Sequence, residues 1–531
     1  MDNSGWNRPA FGVFHPLTAI LVVMAGLTLA LWRLGLDERP MHNDEAVNAV
    51  KFGQLWKGGG YKYDHNEHHG PSLYYATFAL SRLTGAPEDF DRFTETRLRL
   101  TTVLVGVGLI LLLLLVADGL GKNATVWAGL FTAISPAMVF YSRYYIHEVL
   151  LVCFTFLAIA AGWRYWRSRK VGWALLAGAG VGGMHATKET FVITLAAGGV
   201  ALGLNELWNR WLDASAAPAT RPRVKFSHLA AALGAWLAVA LLLFSSLFTN
   251  AAGPLDSVRT YLPWLQRAAG ASPHIHPWHF YLHRLFCFHV AKGPVWSEAI
   301  ILALAFVGAW AAFVRRGLAD GSANFVRFLA LYTFALTTAY SLISYKTPWC
   351  LLNFWHGMIL LAGIGAAWLV GKARRRILRI LLTLLLLAGS GHLAWQAVLA
   401  NGAYAADRRN PHVYSHTSPD LLKLVRQVEA LAQVHPQGRQ MLVKVMASDG
   451  DYWPLPWYLR NLKQVGWWDH LELEQYAPVM IVSAQLHAGL DEKQTHVMVR
   501  YFELRPQVFL ELYVDLKLWR DYLASNPPKP D

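Results

Sequence analysis

The strongest constraint in this chain is a series of apolar runs as long as a bilayer is thick, for example Leu17 to Leu36 and His228 to Phe248. A hydrocarbon core of about 30 Å takes roughly 20 apolar residues to span as a helix. Runs of that kind recur near 17–36, 100–117, 124–141, 148–164, 171–186, 190–207, 228–248, 298–314, 327–344, 351–371 and 378–397. They predict an α-helical polytopic membrane protein with about eleven transmembrane helices. With 54% hydrophobic and 15% charged residues, the composition agrees. The fifth and sixth runs are the shortest in apolar content and rich in glycine. The first run is too long for a signal-peptide core and reads as a retained helix.

A net charge of +14 on a soluble protein would suggest nucleic acid. Here the bases gather in alternate short connections, so topology accounts for them and no nucleic-acid partner is expected. Lys122 follows the second run, Arg164, Arg167, Arg169 and Lys170 the fourth, and Arg210, Arg221, Arg223 and Lys225 the sixth. Arg315, Arg316 and Arg327 follow the eighth, and Lys372, Arg374, Arg375, Arg376 and Arg379 the tenth. The opposite short connections hold Arg143, Lys188 and Lys346, one base each. The positive-inside rule then places the amino terminus in the cytoplasm and the carboxyl end outside a cytoplasmic (inner) membrane.

Two domains are expected. Residues 1–397 form the membrane domain, with long outer loops at 37–99 and 249–297. Both loops space aromatic and apolar residues helically, as at Trp56, Tyr74, Tyr75 and Phe78, and predict helices lying along the membrane. Trp278, Phe280 and Tyr281 suit the aromatic belt. Residues 398–531 change character and predict a small extracytoplasmic α/β domain. Its strands are expected at Met441 to Met446 and Val479 to Ser483, and its helices at Leu421 to Ala432 and Val508 to Leu523. The aromatic stretch Trp453, Trp457, Tyr458, Trp467 and Trp468 fits either sugar contact or simple core packing. Cys153, Cys287 and Cys350 show no metal-binding spacing, and nothing in the sequence pairs them.

Polar clusters concentrate at the outer helix ends. Asp44-Glu45, in Met41 to Ala46, offers two acids for base or metal chemistry, or a helix start capped by Asn43 or Asp44. Tyr63 to Pro71 contains Glu67, His68 and His69, candidate ligands for a divalent ion or an ordinary solvated loop. Tyr141 to Glu148 brings Arg143, His147 and a carboxylate that opens a membrane helix, where it either serves a function or steadies the helix dipole. Lys188-Glu189 either joins the site, or the two simply pair or face water. Tyr345-Lys346, with Trp349 nearby, fits a lipid phosphate or plain snorkelling.

Together these stretches resemble the GT-C superfamily of glycosyltransferases dependent on polyprenyl-phosphate sugars. The resemblance is to the branch of protein O-mannosyltransferases and aminoarabinose transferases. It rests on Asp44-Glu45 after the first helix, Pro71-Ser72-Leu73-Tyr74-Tyr75, Arg97 and Arg99 leading into the second span, and Tyr141-Ser142-Arg143 with an acid five residues on. His42 to Ala46, Tyr141 to Glu148, His276-Pro277-Trp278 and Tyr345 to Trp349 resemble more closely the flippase-activity-associated family of archaeal N-glycosylation clusters. So do Asn410-Pro411 and Thr417 to Asp420. The resemblance implies sugar transfer from a polyprenyl-phosphate carrier to a glycan, lipid or protein acceptor on the outer face, with inversion. It implies Asp44 as general base beside Glu45, and Glu148 as a second acid. Lys346, Arg143, Arg97 and Tyr345 are then candidates for the carrier phosphate. His69, Tyr74, His147, Lys188, Trp278 and Trp349 are candidates for the substrate pocket. A divalent ion (Mg, Mn or Zn) would fall to Asp44, Glu67, His68 and Glu148. Gly70 departs from the commoner pattern before the proline. Two other readings compete: a non-catalytic flippase or transport component for lipid-linked sugars, and a scaffold or binding protein. The scarcity of charge in mid-span disfavours transport.

Overall fold

The computed structural model describes residues 16–58, 60–66, 69–211, 224–269, 272, 274–314, 318 and 320–526. Every predicted span coincides with a helix. Seven of these helices are long and apolar enough to cross a membrane: Glu95–Leu120, Glu148–Ser168, Phe191–Trp211, Phe226–Phe244, Ala323–Leu342, Pro348–Lys372 and Arg376–Asn401. Pro16–Trp32 and Ala299–Phe313 are apolar but shorter. The third predicted span is not one straight rod. Lys122–Ile134 and Pro136–Ser142 meet at a bend of 59°, and count as an eighth span when taken together. Pro136 has no amide hydrogen to continue the ladder, and Ser135 takes an extended conformation at the break. Ser135 Oγ donates to Glu298 at 2.5 Å, and the Ala137 amide donates to the same carboxylate at 3.0 Å, so a buried acid satisfies the new helix start.

The glycine-rich fifth segment, Val171–His185, is only 15 residues long. Its glycines serve packing. A Cβ on Gly178 would stand 1.9 Å from the Ala232 carbonyl oxygen, and one on Gly182 would stand 2.8 Å from that of Trp236. Small residues four apart let this helix lie directly against Phe226–Phe244, as membrane helices do where backbones must approach.

The chain divides into two compact units, each described by itself. One comprises residues 1–34, 62–76 and 99–403 and holds the spans; the other comprises 35–61, 77–98 and 404–531. The second unit carries a five-stranded sheet of β1 (Leu442–Met446), β2 (Gln464–Trp468), β3 (Val479–Ser483), β4 (His496–Arg505) and β5 (Val508–Asp515). The order is β2-β1-β3-β5-β4. β1 runs parallel to β2 and β3, while β5 is antiparallel to β3 and β4. All five β3 residues are buried, as expected of a central strand covered on both faces. Leu424, Val428 and Leu431 of helix Leu421–Val434 pack over Val443, Val445, Ile481, Leu510 and Leu512.

Two expectations need correction. Residues 508–515 form a strand, and only Leu516–Ser525 is helical. The apolar run Val508 to Val514 satisfies either period, and pairing on both sides decides for the strand. In the first long loop two of the four aromatics at helical spacing also turn inward. Trp56 is buried against Phe52, Phe78 and Phe93, with its indole N–H on the carbonyls of Pro87 and Glu88. Tyr74 is buried too.

Candidate functional site

In the second unit, helix Asn43–Trp56 begins with a capping box. The cap is His42, not Asn43 or Asp44. His42 is extended, its Nδ1 accepts the Asp44 amide at 3.1 Å, and its own amide donates to Glu45 Oε2 at 2.9 Å. Because Nδ1 accepts, the ring proton lies on Nε2, which donates to the Tyr414 carbonyl at 3.1 Å. Glu45 is completely buried and pairs with Arg39 at 3.2 Å, and Arg39 reaches His416 Nε2 at 3.5 Å. The adjacent acids therefore differ in situation. Glu45 is committed to the cap and to Arg39, while the Asp44 side chain is 48% exposed. Alternation around a helix start explains the split: the third helical residue folds back onto the cap and the second projects outward. Thr417 Oγ1 donates to the Met41 carbonyl at 2.6 Å, and Met41 N–H donates to Tyr458 at 2.9 Å, which fixes the approach to His42. Arg97, in the first turn of helix Glu95–Leu112, belongs to this unit and is half-buried.

In the first unit a second cluster assembles. His69 and Lys188 form an antiparallel bridge; Gly70 N–H donates to the Thr187 carbonyl at 3.0 Å and Ser72 N–H to the Ala186 carbonyl at 2.9 Å. The Ser72 and Thr187 hydroxyls lie 2.8 Å apart. This short ladder explains Gly70, since a Cβ there would sit 2.2 Å from the Ala186 carbonyl oxygen. Alternation along the ladder sends Lys188 to Glu148, in a direct ion pair, and Glu189 to His69 Nδ1 at 3.2 Å. Lys188 Nζ also lies 3.8 Å from Cys350 Sγ. His147 Nε2 bonds the Gly70 carbonyl at 3.0 Å, and its ring stands edge-on to Tyr74. Burial opposes charge on Lys188, but Cys350, Glu148 and Glu189 outweigh it and hold the ammonium well above its ordinary pKa. Burial pushes Glu189 up, yet His69 and then Lys188 prevail and hold it below the usual carboxylate range.

Lys346 is buried, and its ammonium donates to the carbonyls of Ile343 and, at 3.1 Å, His276. Burial lowers its pKa. Ile275 and Tyr345 bridge, so residues 274–276 pair with 344–346 as a small clasp. Trp349 is buried, Arg143 half-buried, and Trp278 is 64% exposed. Glu67 and His68 lie outside the described residues. Among the described residues no group of three or more His, Cys, Asp or Glu is arranged to hold a metal ion. Cys153, Cys287 and Cys350 are free. Sequence reasoning missed Arg39 and His416, which carry no local signal, and left Glu189 out of the site although its neighbour Lys188 pointed there.

Residues 83–220 match the family described as dolichyl-phosphate-mannose-protein mannosyltransferase. No curated protein matches the chain. ArnT from Cupriavidus metallidurans in the apo state aligns at 15% identity and a TM-score of 0.62, over 94% of this chain and 98% of that one. ArnT bound to undecaprenyl phosphate aligns at 15% identity and 0.58, over 94% and 99%. The S. cerevisiae protein O-mannosyltransferase Pmt1-Pmt2 complex bound to the sugar donor aligns at 18% and 0.36, over 45% and 35%, too loosely to bear weight. The chain has the fold of ArnT. The family match takes in Arg97, Arg143, His147, Glu148 and Lys188, and leaves Asp44 outside.

Proposed function

We propose that this protein is a membrane glycosyltransferase that moves a sugar from a polyprenyl-phosphate carrier to an acceptor on the outer face of the cytoplasmic membrane, with inversion. The observation that carries the reading is the different treatment of two adjacent acids in a GT-C fold. Glu45 is spent on structure, whereas Asp44 keeps a half-exposed carboxylate at the start of a rigid helix. A capped helix fixes such a group better than a loop does.

In the proposed step the acceptor oxygen attacks the anomeric carbon and the bond from that carbon to the phosphate oxygen breaks. Asp44 takes the acceptor proton, and the carrier leaves as its phosphate anion. Lys346 and Arg143, with Arg97, supply positive charge for that anion. Lys346 would exchange its carbonyl partners at Ile343 and His276 for the phosphate. Glu148, with Oε1 held by Lys188, orients the acceptor. The amino terminus is inside and the sheet domain outside, following the distribution of Lys and Arg.

The test is transfer of labelled sugar from a panel of polyprenyl-phosphate sugars by the purified protein in lipid. Wild type is expected to turn over, Asp44→Asn to be inactive while folded, and Lys346→Ala to be impaired. Equal turnover by Asp44→Asn removes the mechanism.

A further inference from the structure

The second long outer loop contains a helix built the opposite way round from a water-facing one. Helices Gly253–Arg259 and Tyr261–Ala269 form one continuous path, because the Thr260 amide donates to the Asp256 carbonyl at 3.0 Å and the Trp264 amide to that of Thr260 at 3.3 Å. The face turned toward the protein is polar. Ser257 and Thr260 are buried, Thr260 Oγ1 donates to the His65 carbonyl at 3.0 Å, and Asp256 lies 3.7 Å from His65. Tyr261 donates its hydroxyl to the Glu189 carbonyl at 2.9 Å, beside the His69 pair. The outward face carries Leu255, Val258, Leu262 and Leu265, which are 54%, 62%, 66% and 56% exposed. Their spacing of three, four and three residues makes one stripe.

A helix with polar groups inward and leucines outward has an apolar surrounding on its outer side. The stripe starts eleven residues after the span Phe226–Phe244 ends, and the exposed Leu247 and Phe248 lie between them. We infer that Leu255, Val258, Leu262 and Leu265 rest in the outer leaflet of the bilayer, so that lipid supports the segment that holds His65 and Glu189 in place. The partner is the acyl region just beneath the headgroups, the depth that an amphipathic helix lying in the interface reaches.

The test uses the full chain in nanodiscs of phosphatidylethanolamine and phosphatidylglycerol. Cys287→Ser removes the exposed native thiol, and Leu262→Cys, or Val258→Cys in a second preparation, carries an environment-sensitive NBD dye. Quenching by lipid with a nitroxide at carbon 5 should exceed quenching by aqueous iodide several-fold at both positions. Dominant iodide quenching would show a water-facing helix and overturn the inference. Protection from both quenchers would show that a second copy or another protein covers the stripe, and would overturn it equally. No sugar substrate enters the measurement, so its failure leaves the transferase proposal standing.

Discussion

Lys188→Met is the substitution whose consequence can be worked furthest. The Lys188 and Glu148 side chains are only 5% and 2% exposed. Deleting the cation leaves a buried carboxylate facing Cys350, with a second carboxylate on the next residue. Breaking a buried pair from one side costs about 3–5 kcal/mol, because the surviving charge has no water to return to. At about 1.4 kcal/mol per tenfold, that is roughly two to four orders of magnitude in the folded-to-unfolded ratio. Glu148→Gln should cost less, about 1–3 kcal/mol, since Lys188 still has Glu189 beside it and an amide oxygen in front of it. The double variant should be more stable than the sum of the two losses predicts, by about 2 kcal/mol or more, because neither charge is then stranded. Reversible unfolding in mixed SDS micelles, followed by circular dichroism, measures all four corners of the cycle. A loss below about 1 kcal/mol for Lys188→Met, as for an exposed pair, would refute the reasoning, as would strict additivity.

Gly70→Ala should disrupt the ladder that carries Lys188 and Glu189, since its Cβ would meet the Ala186 carbonyl oxygen at 2.2 Å; a loss of about 1–3 kcal/mol is expected in the same assay. Asp44→Asn should leave stability within about 0.5 kcal/mol of wild type, as surface changes do. Glu45→Ala takes the carboxylate from Arg39 and half of the capping box, and should cost about 3 kcal/mol. The pH dependence has two limbs. Glu189 is depressed, so its contribution is present above the unfolded carboxylate value near 4.3 and is lost as pH falls through its lower folded value. Lys188 is raised, so its contribution is complete below about 10.4 and is lost as pH rises through its higher folded value. Melting temperature against pH should therefore fall at both extremes, with the acid limb weakened in Glu189→Gln.

The membrane architecture was legible because its signal is long-range and redundant: a span needs many apolar residues, and the basic connections mark every second turn. The bend at Ser135 was less visible, although Pro136 stood in the run. Whether a proline ends a membrane helix or merely kinks it depends on what satisfies the freed amides, and here that is Glu298, 163 positions away. The strand at Val508–Asp515 was misread for a related reason. Its apolar run suits either period, and the choice is made by partners β3 and β4 rather than by the run itself.

The candidate acids were legible by type and place but not by role. Asp44 and Glu45 read as equivalent in the chain. What separates them is helix geometry together with Arg39: the third helical residue turns back to the cap and meets the guanidinium. Lys188 reads in the sequence as a pocket residue, or as one that simply pairs with Glu189 or faces water; its partner is Glu148 instead. In the ladder its ammonium and Glu148 neutralise one another, so a lysine beside a catalytic candidate need not be a phosphate ligand. Its charge is already matched, and any anion recruited there would have to outcompete a buried carboxylate. In the proposed transfer step the carrier phosphate therefore stays with Lys346 and Arg143, with Arg97. Among the described residues Lys346 is tied to neutral carbonyls, which an anion can displace at far lower cost than it can displace Glu148.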